Sequence, residues 1–149
     1  MTRWKLRKDD ESPSVDQTLY KSMIGSLLYL TASRLNIVQA ICMVARFQET
    51  PKQSHVNAVR RIFRYLQGTL THDLWYPKKG DFTLQGYAAV DWVGCIDDRK
   101  STSGGDFFFG ERLVSWNNKK QDSISLSMTK VEYMIAATCC PQVLWMKQT

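Results

Sequence analysis

Gly86-Tyr87-Ala88-Ala89-Val90-Asp91-Trp92, followed about forty residues later by Leu126-Ser127-Met128-Thr129-Lys130-Val131-Glu132-Tyr133, decides how this chain is read. The first stretch closes a strand pattern and the second opens a helix pattern. Each carries an isolated acid, Asp91 at the strand end and Glu132 in the first turn of the helix. A metal-dependent nuclease holds divalent cations on acids placed in this way, and here the set is incomplete.

Upstream of these stretches the apolar period is helical. Leu19, Met23, Leu27 and Leu30, thickened by Ile24 and Leu28, recur at three and four residues, as a core-facing helix requires. Asn36 is placed to cap a second helix carrying Ile37, Ala40, Ile41, Val44 and Phe47, which Thr50-Pro51 stops. A third runs from about Ser54 to Leu66 with Val56, Val59, Ile62, Phe63 and Leu66 in one stripe and Gly68 at the C-cap position. Three short helices with brief connections fit a compact bundle. Residues 1–18 alternate basic and acidic groups around Ser12-Pro13-Ser14 without a hydrophobic period and are expected as a flexible lead-in. On the third helix Arg60, Arg61 and Arg64 fall off the apolar stripe, Arg60 and Arg64 one turn apart. They serve either as a bidentate clamp for phosphates or as a solubilising face.

After Gly68 the texture becomes strand-like. Leu74-Trp75-Tyr76, the turn residues Pro77 to Gly80, and the alternation Phe82, Leu84, Gly86 toward Val90 read as a hairpin. Asp97 to Gly105 is a loop by composition. Phe107-Phe108-Phe109 and Leu113 to Trp116 flank Gly110-Glu111-Arg112 as a second hairpin with a three-residue turn. Asn117 to Asp122 reads as another loop, Ile124 and Leu126 as a short strand, and Ser127 as the start of a helix carrying Val131, Met134, Ile135 and Thr138. Helices followed by a strand-rich half that ends on a helix make an α+β chain.

With 149 residues, five tryptophans and six each of tyrosine and phenylalanine, the chain is built to pack rather than to stay disordered. Its net charge of +6 is uneven: residues 1–80 hold thirteen Lys/Arg against six Asp/Glu, residues 81–149 seven against eight. A cationic half beside a near-neutral one favours a polyanion partner, with a solvated basic surface as the alternative. The four cysteines, Cys42, Cys95, Cys139 and Cys140, have neither C-x-x-C spacing nor a histidine pair beside them, so zinc and a disulfide framework are not expected. No signal-peptide pattern and no long apolar run is present; an intracellular chain, cytoplasmic or nuclear and without a membrane partner, is expected.

Two ordered strings of residues carry a resemblance. Leu19 to Arg34, Ala45-Arg46-Phe47, Pro51, His55, Ala58 and Arg61 to Thr69 resemble the end of the reverse transcriptase region in copia-type LTR retrotransposon Pol polyproteins. Leu74 to Pro77, Gly86-Tyr87, Asp91-Trp92, Gly94, Asp98 to Gly104, Leu113 to Trp116, Lys119-Lys120-Gln121, Leu126-Ser127, Glu132-Tyr133 and Leu144 to Gln148 resemble the start of that polyprotein's ribonuclease H domain. The resemblance spans about residues 15–149. It implies a lead-in over 1–18, a helical thumb/connection-like bundle over 19–72, which grips a primer-template duplex but lacks the polymerase aspartates, and a partial ribonuclease H-like mixed sheet with one helix over 73–149.

The resemblance also implies a Mg²⁺ pair bracketed by carboxylates that hydrolyses the RNA strand of an RNA–DNA hybrid. Two such cations roughly 3.5–4 Å apart repel unless several anionic ligands surround them. Where the family reads S-D-A-D this chain has Ala88, Ala89, Val90 and Asp91, so Ala89 stands at the position of the shared metal ligand. Asp91 projects to the same strand face but roughly 6.5–7 Å further along, either as a displaced ligand or as a strand-end residue bonded to backbone amides. Where the family's helix opens S-T-A-E-A-E-Y, one acid is replaced by Lys130 and the other survives as Glu132, a weak metal candidate or a plain surface glutamate. The family's third metal-binding Asp would lie in a strand after Thr149, so the chain reads as truncated, with a sheet edge prone to aggregation or dependent on a partner. The expectation is a degenerate piece of a copia-like Pol polyprotein, without a bound Mg²⁺ pair and catalytically inactive. Residual affinity for an RNA–DNA hybrid or other nucleic acid would run through Arg60, Arg61, Arg64, Lys119 and Lys120, and the rest of a Pol polyprotein is a further expected partner. A weak ribonuclease H using Asp91 and Glu132, and a non-catalytic interaction module or non-functional product, are the alternatives.

Overall fold

Three helices, three strands and a fourth helix follow one another in the computed structural model, which describes residues 6–8, 11–91, 99–124 and 127–148. They divide into a helical unit, Met1–Asp73, and a strand unit, Leu74–Thr149. Parts of three sequence expectations lie outside the described residues: the start of the lead-in, Asp97 and Asp98 of the expected loop, and Leu126 of the short strand.

In the helical unit, α1 (Gln17–Leu30) begins where the Asp16 carboxylate accepts the Thr18 N–H at 2.8 Å. It buries Tyr20, Ile24 and Leu27, whereas Leu19 and Leu28 of the expected stripe stay exposed. The Tyr20 hydroxyl donates to the Val44 carbonyl at 2.8 Å, so the ring enters the core with its polar end satisfied and turns the helix away from the Leu19 side. α2 (Leu35–Val44) buries Ile37, Ile41 and Val44 and runs into a 3-10 turn, Ala45–Phe47.

Asn36 does not cap α2. It lies within the first turn and donates its amide to the Tyr65 hydroxyl at 2.7 Å, while Arg34 takes the cap position without a side-chain bond of its own to the helix. The guanidinium of Arg34 reaches instead to the far end of α3 (Gln53–Gly68), donating to the carbonyls of Thr69, Leu70 and His72. A cation on carbonyls just past a helix C-terminus interacts favourably with the negative end of the helix dipole. Gly68 is the last helical residue rather than the cap, a place taken by Thr69.

The described part of the lead-in is held rather than loose, because the N-terminus of α3 needs acceptors for its unpaired N–H groups. Gln53 N–H donates to the Pro13 carbonyl at 2.9 Å and Ser54 N–H to the Ser12 hydroxyl at 3.3 Å. Val15 N–H donates to the Pro51 carbonyl. His55 is fully buried, stacked on Phe47 at 4.0 Å between ring centroids. Its Nδ1 accepts the Lys52 N–H and its Nε2 lies 2.9 Å from the Arg7 carbonyl, which fixes Nε2 as the protonated nitrogen. Tyr20, Ile24, Leu27, Ile37, Ile41, Val44, Val56, Val59 and Ile62 close the core.

In the strand unit, β1 (Leu84–Asp91), β2 (Thr102–Phe109) and β3 (Arg112–Lys120) form a sheet of order β1-β2-β3, antiparallel throughout. The expected mixed sheet is corrected here: consecutive strands joined by ten residues and by two leave no room for the crossover that a parallel pair needs. The second hairpin turns on Gly110-Glu111 with Phe109 paired to Arg112, two residues rather than three. Gly110 has φ 57, as at the first central position of a type II′ turn, and donates its N–H to the Thr83 carbonyl at 2.8 Å. A Cβ there would collide with the Asp81 carbonyl oxygen. Val114 is the extra residue of a bulge between the Phe107–Ser115 and Phe108–Leu113 pairs.

Three loop and strand expectations are also corrected. Leu74 to Tyr76 forms no strand arm; the segment is fastened by side chains, with the Tyr76 hydroxyl donating to the Leu113 carbonyl and Arg112 Nε to the Pro77 carbonyl. Thr102 to Gly105 and Asn117 to Lys120, loop-like in composition, pair with each other as strand. Ile124 lies in no strand.

α4 (Met128–Gln148) is longer than expected and continues through Pro141, which has no N–H to donate to the Ala137 carbonyl. Ser127 Oγ accepts the Lys130 N–H at its start. The helix packs on β1 and β2: a Cβ on Gly86 would meet Val143 at 2.9 Å, and one on Gly105 would meet Cys139 Sγ at 3.2 Å. Phe107, Val131 and Ile135 are buried. No helix among the described residues is long and apolar enough to cross a membrane.

Candidate nucleic-acid interface

The sequence of α3, QSHVNAVRRIFRYLQG, contains three arginines and no acid. Its buried residues His55, Val56, Val59 and Ile62 define the core side, and at 100° per residue Arg60, Arg61 and Arg64 fall within an arc of about 100° on the opposite side. All three are exposed. Arg60 and Arg64 stand one turn, about 6 Å, apart along the axis, and no carboxylate pairs with either among the described residues. With Asn57 and Phe63 they line an open concavity of about 480 Å³. The helical period that builds the core thus also gathers the cations on one face.

Lys119 and Lys120 belong to the strand unit. They are neighbours at the end of β3, paired with Ser103 and Thr102, so their side chains leave opposite faces of the sheet. Lys119 is 3.6 Å from the Asp122 carboxylate in an exposed ion pair worth little. Sequence adjacency makes the two look like one patch, and the strand alternation separates them.

The positions expected from the family resemblance fall as follows. Asp91 pairs with Thr102 at the end of β1; its side chain lies outside the described set. Ala89 pairs with Gly104 and, by alternation, occupies the sheet face opposite to that of Gly86, over which Val143 of α4 packs. Glu132 is exposed on α4, one residue past buried Val131, and Lys130, two residues earlier and so about 200° around the helix, is also exposed. No group of three or more His, Cys, Asp and Glu side chains that could hold a metal ion gathers among the described residues.

One acid is missed by the sequence reading. Asp106, in the middle strand between Tyr87 and Trp116, shares the face of Ala89, and burial pushes its carboxyl above the usual carboxylate range. Its signal, an acid between the loop-like Gly104-Gly105 and the Phe run, becomes visible only once the strand register is known. Among the thiols, burial pushes both Cys42 and Cys139 up, against the reactive direction.

No protein-family model matches the chain, and no solved structure matches it. Over 130 residues, 87% of its length, it is 35% identical to a retrovirus-related Pol polyprotein from transposon RE1 of Arabidopsis thaliana. Over 140 residues, 93% of its length, it is 37% identical to the one from transposon TNT 1-94 of Nicotiana tabacum. The chain spans 9% and 10% of those two polyproteins. It is also 35% identical over 128 residues to the secreted RxLR effector protein 161 of Plasmopara viticola, of which it covers 90%.

Proposed function

We infer the function of this chain from its family: it belongs to the retrovirus-related Pol polyproteins of copia-type transposons. Within that family we assign it nucleic-acid binding without hydrolysis, on the exposed face of α3. The observation that carries this is the placement of Arg60, Arg61 and Arg64 on one acid-free face. Guanidiniums so arranged neutralise successive phosphates and release their condensed counterions. Three antiparallel strands followed by a packed helix support reading the strand unit as ribonuclease H-like, and the three-helix core supports reading the helical unit as thumb/connection-like.

The residues do not fit a magnesium pair. At the position of the shared ligand Ala89 offers a methyl group, and Lys130 places an ammonium where the family's helix has a carboxylate. Two divalent cations need anionic oxygens between and around them. No catalytic step through a metal is therefore assigned.

Fluorescence anisotropy of a labelled RNA–DNA hybrid, titrated between about 50 and 200 mM salt, tests the binding. The logarithm of the affinity should fall linearly with the logarithm of salt. R60Q/R64Q together should lower the slope by about 1.4–1.8, or about 0.7–0.9 for each phosphate that is no longer neutralised. Binding that ignores salt, or a slope unchanged by the double variant, would exclude this face.

A second reading is favoured by one observation: a relative of nearly the same extent carries the name of a secreted effector and not of a polyprotein. On that reading the chain acts by itself as a non-catalytic interaction module. Hydrogen exchange on the isolated chain tests it, since a module that acts alone must show a protected core in both units.

A further inference from the structure

Phe63 is out of place as a core residue. Its neighbour Ile62 is buried, yet Phe63 is 37% exposed, and it sits three residues from Arg60 and next to Arg64 on the rim of the basic face. The concavity of about 480 Å³ that it lines with Asn57, Arg60 and Arg64 falls within the roughly 300–1,000 Å³ typical of small-molecule sites. Three kinds of recognition meet there. Arg60 and Arg64 supply planar donors for phosphate oxygens. Phe63 supplies a π-face. Asn57 accepts from Gln53 Nε2 through its Oδ1 at 3.2 Å, which leaves its amide N–H groups as donors.

A regular duplex hides its base faces within the stack and offers an exposed aromatic ring nothing to stack on. An unpaired nucleotide presents a base face, a polar base edge and flanking phosphates at once. We propose that the Asn57–Arg60–Phe63–Arg64 concavity binds single-stranded nucleic acid, with one unpaired base stacked on Phe63 and the adjoining phosphates held by Arg60 and Arg64. The proposal rests on the nucleic-acid reading above and narrows it from phosphate neutralisation to base stacking.

The test uses the full chain and three labelled probes in anisotropy titrations: a single-stranded oligonucleotide, the same strand carrying abasic sites throughout, and an RNA–DNA hybrid. The base-bearing strand should bind roughly tenfold more tightly than the abasic one. Phe63→Leu should bring it down to the abasic level without changing the salt slope, and Phe63→Trp, which restores a π-face, should retain the difference. Equal affinity for base-bearing and abasic strands, or single-strand binding unmoved by Phe63→Leu, overturns the stacking site while leaving phosphate binding in place. Binding of the hybrid alone overturns it in the same way. If none of the three probes binds, the nucleic-acid reading falls as well.

Discussion

The two units close their interiors by different means. Nine side chains from three helices form the core of the helical unit, each helix contributing residues three or four apart. The strand unit, among its described residues, has Phe107, Leu113, Val131 and Ile135 as its buried apolar set, and α4 leaves Tyr133 79% and Trp145 61% exposed. A helix assembles its core stripe from local spacing, whereas a sheet gains one only when register brings distant residues together. The helical unit therefore spreads its stability over many side chains, and the strand unit rests on fewer, with Phe107 its large fully buried ring among the described residues.

The largest way to sharpen that contrast is Phe107→Ala. The ring is fully buried beside Gly86 and Gly105, and its loss should cost about 3–5 kcal/mol. Amide protection in β1, β2 and β3 should vanish while that of α1 and α3 persists, as read by residue-resolved hydrogen exchange. Equal loss in both units would break the contrast. Gly110→Ala comes next. With φ 57 and the Asp81 carbonyl in the way, it should destabilise the strand unit by about 2–3 kcal/mol in urea unfolding.

Tyr20→Phe is the smallest and belongs to the helical unit. It removes one buried hydrogen bond and should cost about 1–1.5 kcal/mol at neutral pH. Burial pushes the Tyr20 phenol well above its ordinary value near 10. The folded state thus holds the neutral form, so stability is intact below about pH 10 and falls as pH rises beyond it, where the unfolded tyrosine ionises first. Unfolding measured from about pH 8 to 11 should show that alkaline loss in the parent chain and a shallower one in Tyr20→Phe.

The same contrast explains what is legible in the sequence. The three helices of the first unit, their approximate limits and most of their buried residues follow from apolar period, because each stripe is local. The stripe of α1 is misjudged by one position, since Leu19 and Leu28 outweigh Tyr20 in hydrophobicity while only Tyr20 has a hydroxyl that Val44 can receive. Asn36 resembles a cap by residue type, and nothing local reveals that Tyr65 takes its amide. In the strand unit, Thr102 to Gly105 and Asn117 to Lys120 read as loops by composition and become strand through pairing with each other. Of the candidate site, the arginine face of α3 is visible in the helical period. The separation of Lys119 from Lys120 and the presence of Asp106 on the Ala89 face depend on register and are not.

The missing carboxylate at Ala89 and the surplus of cations on α3 meet in one assay. An end-labelled RNA–DNA hybrid incubated with the chain and Mg²⁺ is divided between a native and a denaturing gel. The hybrid should be retarded on the first and intact on the second. Cleavage that disappears in Asp91→Ala and Glu132→Ala, or a hybrid that is never retarded, would contradict binding without hydrolysis.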